Sequence, residues 1–425
     1  MQSGNMFTQI AGIVLLAVMF IIATALPINM GALALVAAFI IGLLSHLAAK
    51  DILAGFPGDL FVTLVGITYL FAIAQNNGTV DWLVQKAVWL VRGRVAVMPW
   101  VMFFVAAMLT AVGAVSPAAV AIIAPIALRF ADKYGISPLL MGLIVIHGAQ
   151  AGGFSPISIY GGITNQIVEH AGLPRNDLAL FLASFFFNLF IAVLIFIYLG
   201  RYRSSRSAEA ETQAHGEIDK EEHQQTKLNL HRSLTLVGLV ALAFGSLVFD
   251  LNVGLVAISV AVLLALIAPG DQKKAIDQVS WSTILLVTGV VTYIAVLQRI
   301  GAVNLAGNSV SGIGAPLLGA LLLCYIGGVV SAFASSIAVL GATIPLAVPF
   351  LLQGHAHPIG VVAAIAISST IVDVSPFSTN GALVVASAHG VDKDSFYRQM
   401  LMYSAIVVAV GPFLTWLVLI VPRWL

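Results

Sequence analysis

Apolar residues fall in long blocks separated by short polar breaks. The blocks lie at 10–27, 30–48, 57–75, 96–131, 138–168 and 177–199, and then at 232–249, 252–268, 281–299, 313–352, 358–388 and 397–422. Between the two sets runs a polar stretch, 201–231, with the composition of a solvated linker. A helix crossing a bilayer needs about 20 apolar residues. The pattern therefore predicts an all-α polytopic membrane protein. One segment differs: 80–95, VDWLVQKAVWLVRGRV, places Trp82, Lys86, Trp89, Arg92 and Arg94 as in an amphipathic helix lying at the interface.

Composition excludes most other classes. Of 425 residues, 60% are apolar and 9% charged, against about 25% charged in a soluble domain. Twelve of the charges lie between Arg201 and Arg232. No soluble enzyme or secreted module keeps such a surface in water. A net charge of +1 gives no general attraction to nucleic acid. The single cysteine, Cys324, excludes an intrachain disulfide and reads as a small buried hydrophobe. The N-terminal MQSGNMFTQ has no basic residue, so the first apolar block is expected to stay as a helix rather than leave as a signal peptide.

The two sets of blocks repeat each other. At an offset of 220, Ser116 meets Ser336, Pro125 meets Pro345 and Pro138 meets Pro358. The same offset lays FSPISIYGG (154–162) on VSPFSTNGA (374–382). Upstream the offset is 223: Asn29 and Gly31 match Asn252 and Gly254, and Gly66, Gln75 and Gly78 match Gly289, Gln298 and Gly301. The repeats are thus 1–200 and 232–425. Each is assigned five spans plus one re-entrant hairpin (96–131 and 313–352), about ten transmembrane helices in all. With both termini outside, fifteen Lys and Arg fall on one side and only Lys50, Arg175, Arg299 and Arg423 on the other. Five crossings is odd, so the repeats are inverted, as in secondary transporters.

The chemistry is expected at breaks in the helices. The hairpins break at Gly113-Ala114-Val115-Ser116-Pro117 and at Ser331-Ala332-Phe333-Ala334-Ser335-Ser336. Helix N-termini exposed there suit an anion; an ordinary Pro kink is the plainer alternative. A second pair of breaks is predicted in 138–168 and 358–388, at Ser-Pro flanked by Gly, Asn and Thr. Close-packed small residues are the alternative there. Candidate substrate contacts are Ser116, Pro117, Ser158, Tyr160, Ser335, Ser336, Ser378, Thr379 and Asn380. Asp373 is the one acid placed deep in a span, where a carboxylate is costly and functional by default; a helix cap is the alternative. It heads a candidate cation-coupling set with Ser331, Ser336 and Ser375, and with Ser116, Ser155 and Gly153 from the first half. His147 and Gln150 precede the first break, and His147 reads most simply as a buried side chain bonded to a neighbour. Glu169 and His389 are mates placed near the interfaces. There is no Walker loop, no HExxH and no Cys or His pair at metal spacing, so no resident cofactor is expected. No arginine lies deep in a span, so an anion would be held by dipoles, hydroxyls and ions.

These motifs, above all AGGFSPISIYGGITNQIVEHAGLP (151–174), resemble the ion transporter superfamily that includes the divalent anion/sodium symporters, and within it the malonate/dicarboxylate carriers of MatC type. The resemblance implies a scaffold (helices over 10–75 and 232–299) that forms a homodimer, and a transport domain of hairpins and broken helices that moves as an elevator. It implies hairpin tips that bind carboxylates and sodium. The family's Ser-Asn-Thr tip triplets correspond here to Val115-Ser116-Pro117 and Ser335-Ser336-Ile337, both lacking Asn and Thr, which weakens two sodium sites. Ser331 matches a serine the family uses for sodium, whereas its mate Ala111 does not. A stronger cation site is therefore expected in the second half, with coupling to Na+ or H+.

The expected function is cation-coupled symport of a small dicarboxylate such as malonate, malate or succinate across a bacterial inner membrane. A cation/proton antiporter using Asp373 is a rival, disfavoured by the duplicated Ser-rich breaks. A membrane subunit dependent on a solute-binding partner is another. An intramembrane enzyme would need a paired nucleophile and base, and a channel would need rings of ligands; neither pattern is present.

Overall fold

The computed structural model describes residues 5–90, 95–200, 228–249, 251–311, 316–333, 335–352, 357–388 and 392–422, and all its regular structure is helical. The first half holds α1 (Met6–Ala25), α2 (Met30–Leu44), α3 (Ala49–Leu53), α4 (Gly58–Asn76), α5 (Thr79–Leu90), α6 (Met98–Ala111), α7 (Ser116–Tyr134), α8 (Pro138–Gly152), α9 (Ile159–His170) and α10 (Asp177–Leu199). The second holds α11 (Leu230–Phe249), α12 (Val253–Ile267), α13 (Gln272–Asp277), α14 (Trp281–Arg299), α15 (Ala302–Ser311), α16 (Pro316–Ser331), α17 (Ser336–Leu352), α18 (Pro358–Ile371), α19 (Thr379–Ala386) and α20 (Lys393–Leu419). Among the described residues six helical segments are long and apolar enough to cross a bilayer: α1, α4, α10, α14, the segment Pro358–Ala386 and α20. Seven shorter apolar helices fall where the sequence predicts further spans and hairpin arms. Most of the predicted linker, 201–227, lies outside the described residues, as do Arg92 and Arg94; α11 begins at Leu230, before the predicted 232.

Several helix–helix contacts recur when each helix is exchanged with the one ten places later. α1 packs on α2 as α11 does on α12, and α2 on α14 as α12 does on α4. Likewise α6 packs on α8 as α16 on α18, and α7 on α19 as α17 on α9. The repeated glycines explain the central crossings. A Cβ on Gly31 would overlap the Leu285 carbonyl, and one on Gly289 the Gly31 backbone. At the mated crossing a Cβ on Gly254 would overlap Thr63, and one on Gly66 the Gly254 carbonyl. Where both sides of a contact are apolar, in lipid as in protein, such close backbone approach is what holds helices together. Gly289→Leu is therefore expected to lower stability by about 1–3 kcal/mol, read as a lower thermal midpoint of the purified chain. Gly58→Ala, where an added Cβ meets nothing within 4 Å, is expected to leave the midpoint unchanged.

Arg299 pairs with Asp51 at 3.0 Å, Arg175 with Glu169 at 2.6 Å and Asp177 at 3.0 Å. On the basic side, Arg232 donates to the Asn77 carbonyl at 3.1 Å.

Candidate functional site

Both hairpins break where the sequence places the breaks: α6 ends at Ala111 and α7 starts at Ser116, while α16 ends at Ser331 and α17 starts at Ser336. Gly113 turns the first tip with φ +111°, a conformation that favours glycine. The second breaks lie between α8 and α9 and between α18 and α19. They are tied by the same knot. Ser158 Oγ donates toward the carbonyls of Gly153 (2.5 Å) and Ser155 (2.7 Å) and accepts from Gly161 N–H. Ser378 Oγ does so toward Asp373 (2.6 Å) and Ser375 (2.8 Å) and accepts from Gly381 N–H. The glycines are required, since a Cβ on Gly161 or Gly381 would overlap the Ser155 or Ser375 carbonyl. Ser158 and Ser378, singled out as substrate contacts, thus have their hydroxyls engaged in capping α9 and α19.

Asp373 is buried in a short 3-10 turn, Val372–Val374, at the second break. The hydrogen bonds of its carboxylate go to side chains rather than to the backbone N–H groups that a cap, the alternative reading, would hold. Oδ1 accepts from Ser336 Oγ. Oδ2 accepts from Gln150 Nε2 at 3.0 Å and Asn380 Nδ2 at 3.4 Å. Ser336 Oγ is also 2.8 Å from Ser331 Oγ. On the other side, Asn380 Nδ2 donates to Ser116 Oγ at 2.8 Å. A buried chain of polar groups therefore runs from one hairpin tip to the other: Ser116, Asn380, Asp373, Ser336, Ser331. No lysine, arginine or histidine among the described residues pairs with Asp373.

Other candidates stand elsewhere. Ser155 Oγ donates to the Ala111 carbonyl at 2.5 Å, tying the first break to the first tip. Ser375 Oγ accepts from Phe377 N–H at 3.2 Å. Neither bonds to Asp373. Gly153 lies under the Tyr160 ring, which an added Cβ would approach to 2.8 Å. Pro117 and Ser335 are half-buried and Thr379 is exposed. His147 is satisfied on both nitrogens, by Asn188 at 3.0 Å and Tyr403 at 2.8 Å. Since Asn188 Nδ2 donates to the Ser184 carbonyl, its Oδ1 accepts from His147 Nδ1–H, and Tyr403 donates to Nε2. His389 lies outside the described residues. Gln150, the partner of Asp373 from the opposite half, carries no assigned role in the sequence reading. Its depth before a break and its polar end were the available signal.

A cavity of about 370 Å³ opens at the second tip, where Ser335 and Ala338 face Asn29, Ser282 and Leu286. The tips sit unevenly against α4 and α14. The first meets α4 at Ile67, its midpoint, through Gly113. The second reaches the first turns of α14, at Ser282 and Leu286. Level with Val290, the mate of Ile67, lies Gly341, further along the shaft of α17. Accordingly α17 packs along α14, whereas α4 packs on α9.

The fold and its paired breaks are those of a multi-pass helical membrane protein built from two like halves. Residues 6–153 match the family model described as the dicarboxylate carrier protein MatC N-terminus, a likeness that covers about a third of the chain. No curated protein matches. Among solved structures, the YdaH transporter of Alcanivorax borkumensis is similar at TM-score 0.52 and 14% identity, over 86% of each chain, a likeness of fold.

Proposed function

We propose that the protein is a cation-coupled symporter of a small dicarboxylate such as malonate, malate or succinate, working as an elevator in a bacterial inner membrane and assembled as a homodimer. The observation that carries this reading is the buried polar chain from Ser116 to Ser331, in which one carboxylate lies between two hairpin tips with no basic partner among the described residues. A dianion held by hydroxyls and helix ends needs a cation to offset its desolvation, and Asp373 is placed to hold one. The rival antiporter would use the same carboxylate but gives the duplicated tips no task.

The uneven seating of the tips supports the sliding part of the proposal. On the orientation set by the basic residues, Ser282 lies near the cytoplasmic end of α14, so the second tip is displaced toward that side while the first stands at the midpoint of α4. The face that α17 turns to the scaffold is small, with Ala338, Gly341 and Ala342, which suits sliding.

Malonate uptake into proteoliposomes holding only this chain tests the function. An inward sodium or proton gradient is expected to drive uptake, with succinate competing. Absence of uptake under both gradients would remove the self-sufficient symporter and favour an antiporter or a subunit needing a solute-binding partner.

A further inference from the structure

The outer end of α9 is held against α4 by a ladder of polar contacts. Ile67, Thr63 and Asp59 are spaced by four, so they share one face of α4. The first tip meets that face at Ile67. Further out, Gln166 Nε2 donates to Thr63 Oγ1 at 3.1 Å, and His170 Nε2 lies 3.0 Å from Asp59 Oδ2. The second tip reaches Ser282 and Leu286, the mates of Asp59 and Thr63. An exchange of environments between the halves therefore carries the first tip to the places that Gln166 and His170 now fill, and α9 must leave them. Its hold there is incompletely satisfied. Thr164 Oγ1, Asn165 Nδ2 and Gln166 Oε1, consecutive along α9, are buried without hydrogen-bond partners, a state that buried polar groups seldom keep. The second half cannot build the same ladder, since the mated places hold Ser282, Leu286, Ala386 and Gly390.

We propose that Asp59 with His170, and Thr63 with Gln166, form an outer latch that holds the second tip at the cytoplasmic end of α14, and that acid on the outer side strengthens it. The latch rests on the sliding motion proposed above. On the orientation set by the basic residues, Asp59 lies at the outer end of α4. Histidine changes charge between about pH 5 and 8. Protonated, His170 makes a charge-assisted bond to Asp59; neutral, it keeps only an ordinary hydrogen bond. The latched state therefore binds the proton more tightly than the parted state. Lowering the pH shifts the balance toward the latch, and raising it releases the latch. Few other charges face this histidine. Glu169, next to it on α9, and Asp177, at the start of α10, both pair with Arg175. α17, which also packs on α9, has no charged or titratable residue over Ser336–Leu352. Because only the first half carries the charged pair, the latch favours one end state of the movement over the other.

The test is pulsed electron spin resonance on the full chain in detergent, frozen at pH 6 and at pH 8. In a Cys324→Ser background, spin labels go on Leu53→Cys in α3 and Pro174→Cys between α9 and α10, both exposed positions. Two distance populations are expected, separated by a movement on the order of 10 Å. The population matching the structure should gain about threefold over the other from pH 8 to pH 6. His170→Gln should remove that response, and the exchange Asp59→His with His170→Asp should restore it. A pH response unchanged in His170→Gln, or absent with His170 in place, overturns the latch. Gradient-driven uptake without the response would sink the latch and spare the symporter reading. The response without any gradient-driven uptake would sink the symporter reading and spare the latch.

Discussion

Asp373→Asn is expected to leave a folded protein that no longer couples uptake to the cation gradient. Asparagine has the size of aspartate, so packing at the break is kept. Its Oδ1 still accepts from Ser336, and its NH2 can donate to Gln150 Oε1 or Asn380 Oδ1, the two acceptors now without partners. Removing a buried charge that no basic group compensates is close to neutral for stability, or favourable. Function is affected in the opposite sense. A cation site that loses its one carboxylate loses about 3 kcal/mol or more, roughly 100-fold in affinity. The combination is diagnostic: an unchanged or raised thermal midpoint in the absence of sodium, with gradient-driven malonate uptake reduced about 100-fold or more. Uptake that kept its ion dependence in this variant would take the coupling role away from Asp373.

Much of the architecture was legible because both halves set the same backbone tasks. Gly31 and Gly289 recur as Gly254 and Gly66 because two helix crossings need contact without a Cβ. Ser158 and Ser378 recur because two breaks are tied by the same knot. Repeated chemistry of this kind is visible along a chain. The site is legible only in part. Asp373 stood out as an acid at membrane depth, and Ser331 and Ser336, five apart across a tip, could be placed near each other. Its bond to Gln150 could not be read, because it joins residues 223 apart across the two halves that share no repeat position. Nor does a serine at a break announce whether its hydroxyl faces a ligand or caps the next helix. Ser116 and Ser336 join the polar chain, while Ser155, Ser158, Ser375 and Ser378 hold backbone. The residue type is the same, and only the direction of the hydrogen bond separates the two roles.

A covalent tether between the second tip and α14 is expected to stop transport. Ser335 and Ser282 line one cavity, and the only native cysteine, buried Cys324, is removable by Cys324→Ser. In that background Ser335→Cys with Ser282→Cys should react with a short bifunctional thiol reagent and lose essentially all uptake, whereas each single variant should keep it. The repeat fixes the opposite end of the movement. If the halves exchange environments, Val115, the mate of Ser335, comes to the level of Asp59 and Thr63, the mates of Ser282 and Leu286. Phe333, the mate of Gly113, comes to the level of Val290. Gly341 now holds that level, eight residues further on, so the excursion is on the order of 10 Å at 1.5 Å per helical residue. A cysteine pair at Val115 and Asp59 should therefore tether the chain in the other state, and malonate with its driving cation should shift tethering between the two pairs. A rigid carrier would let the first pair react without loss of uptake and leave the second pair unreactive under every condition.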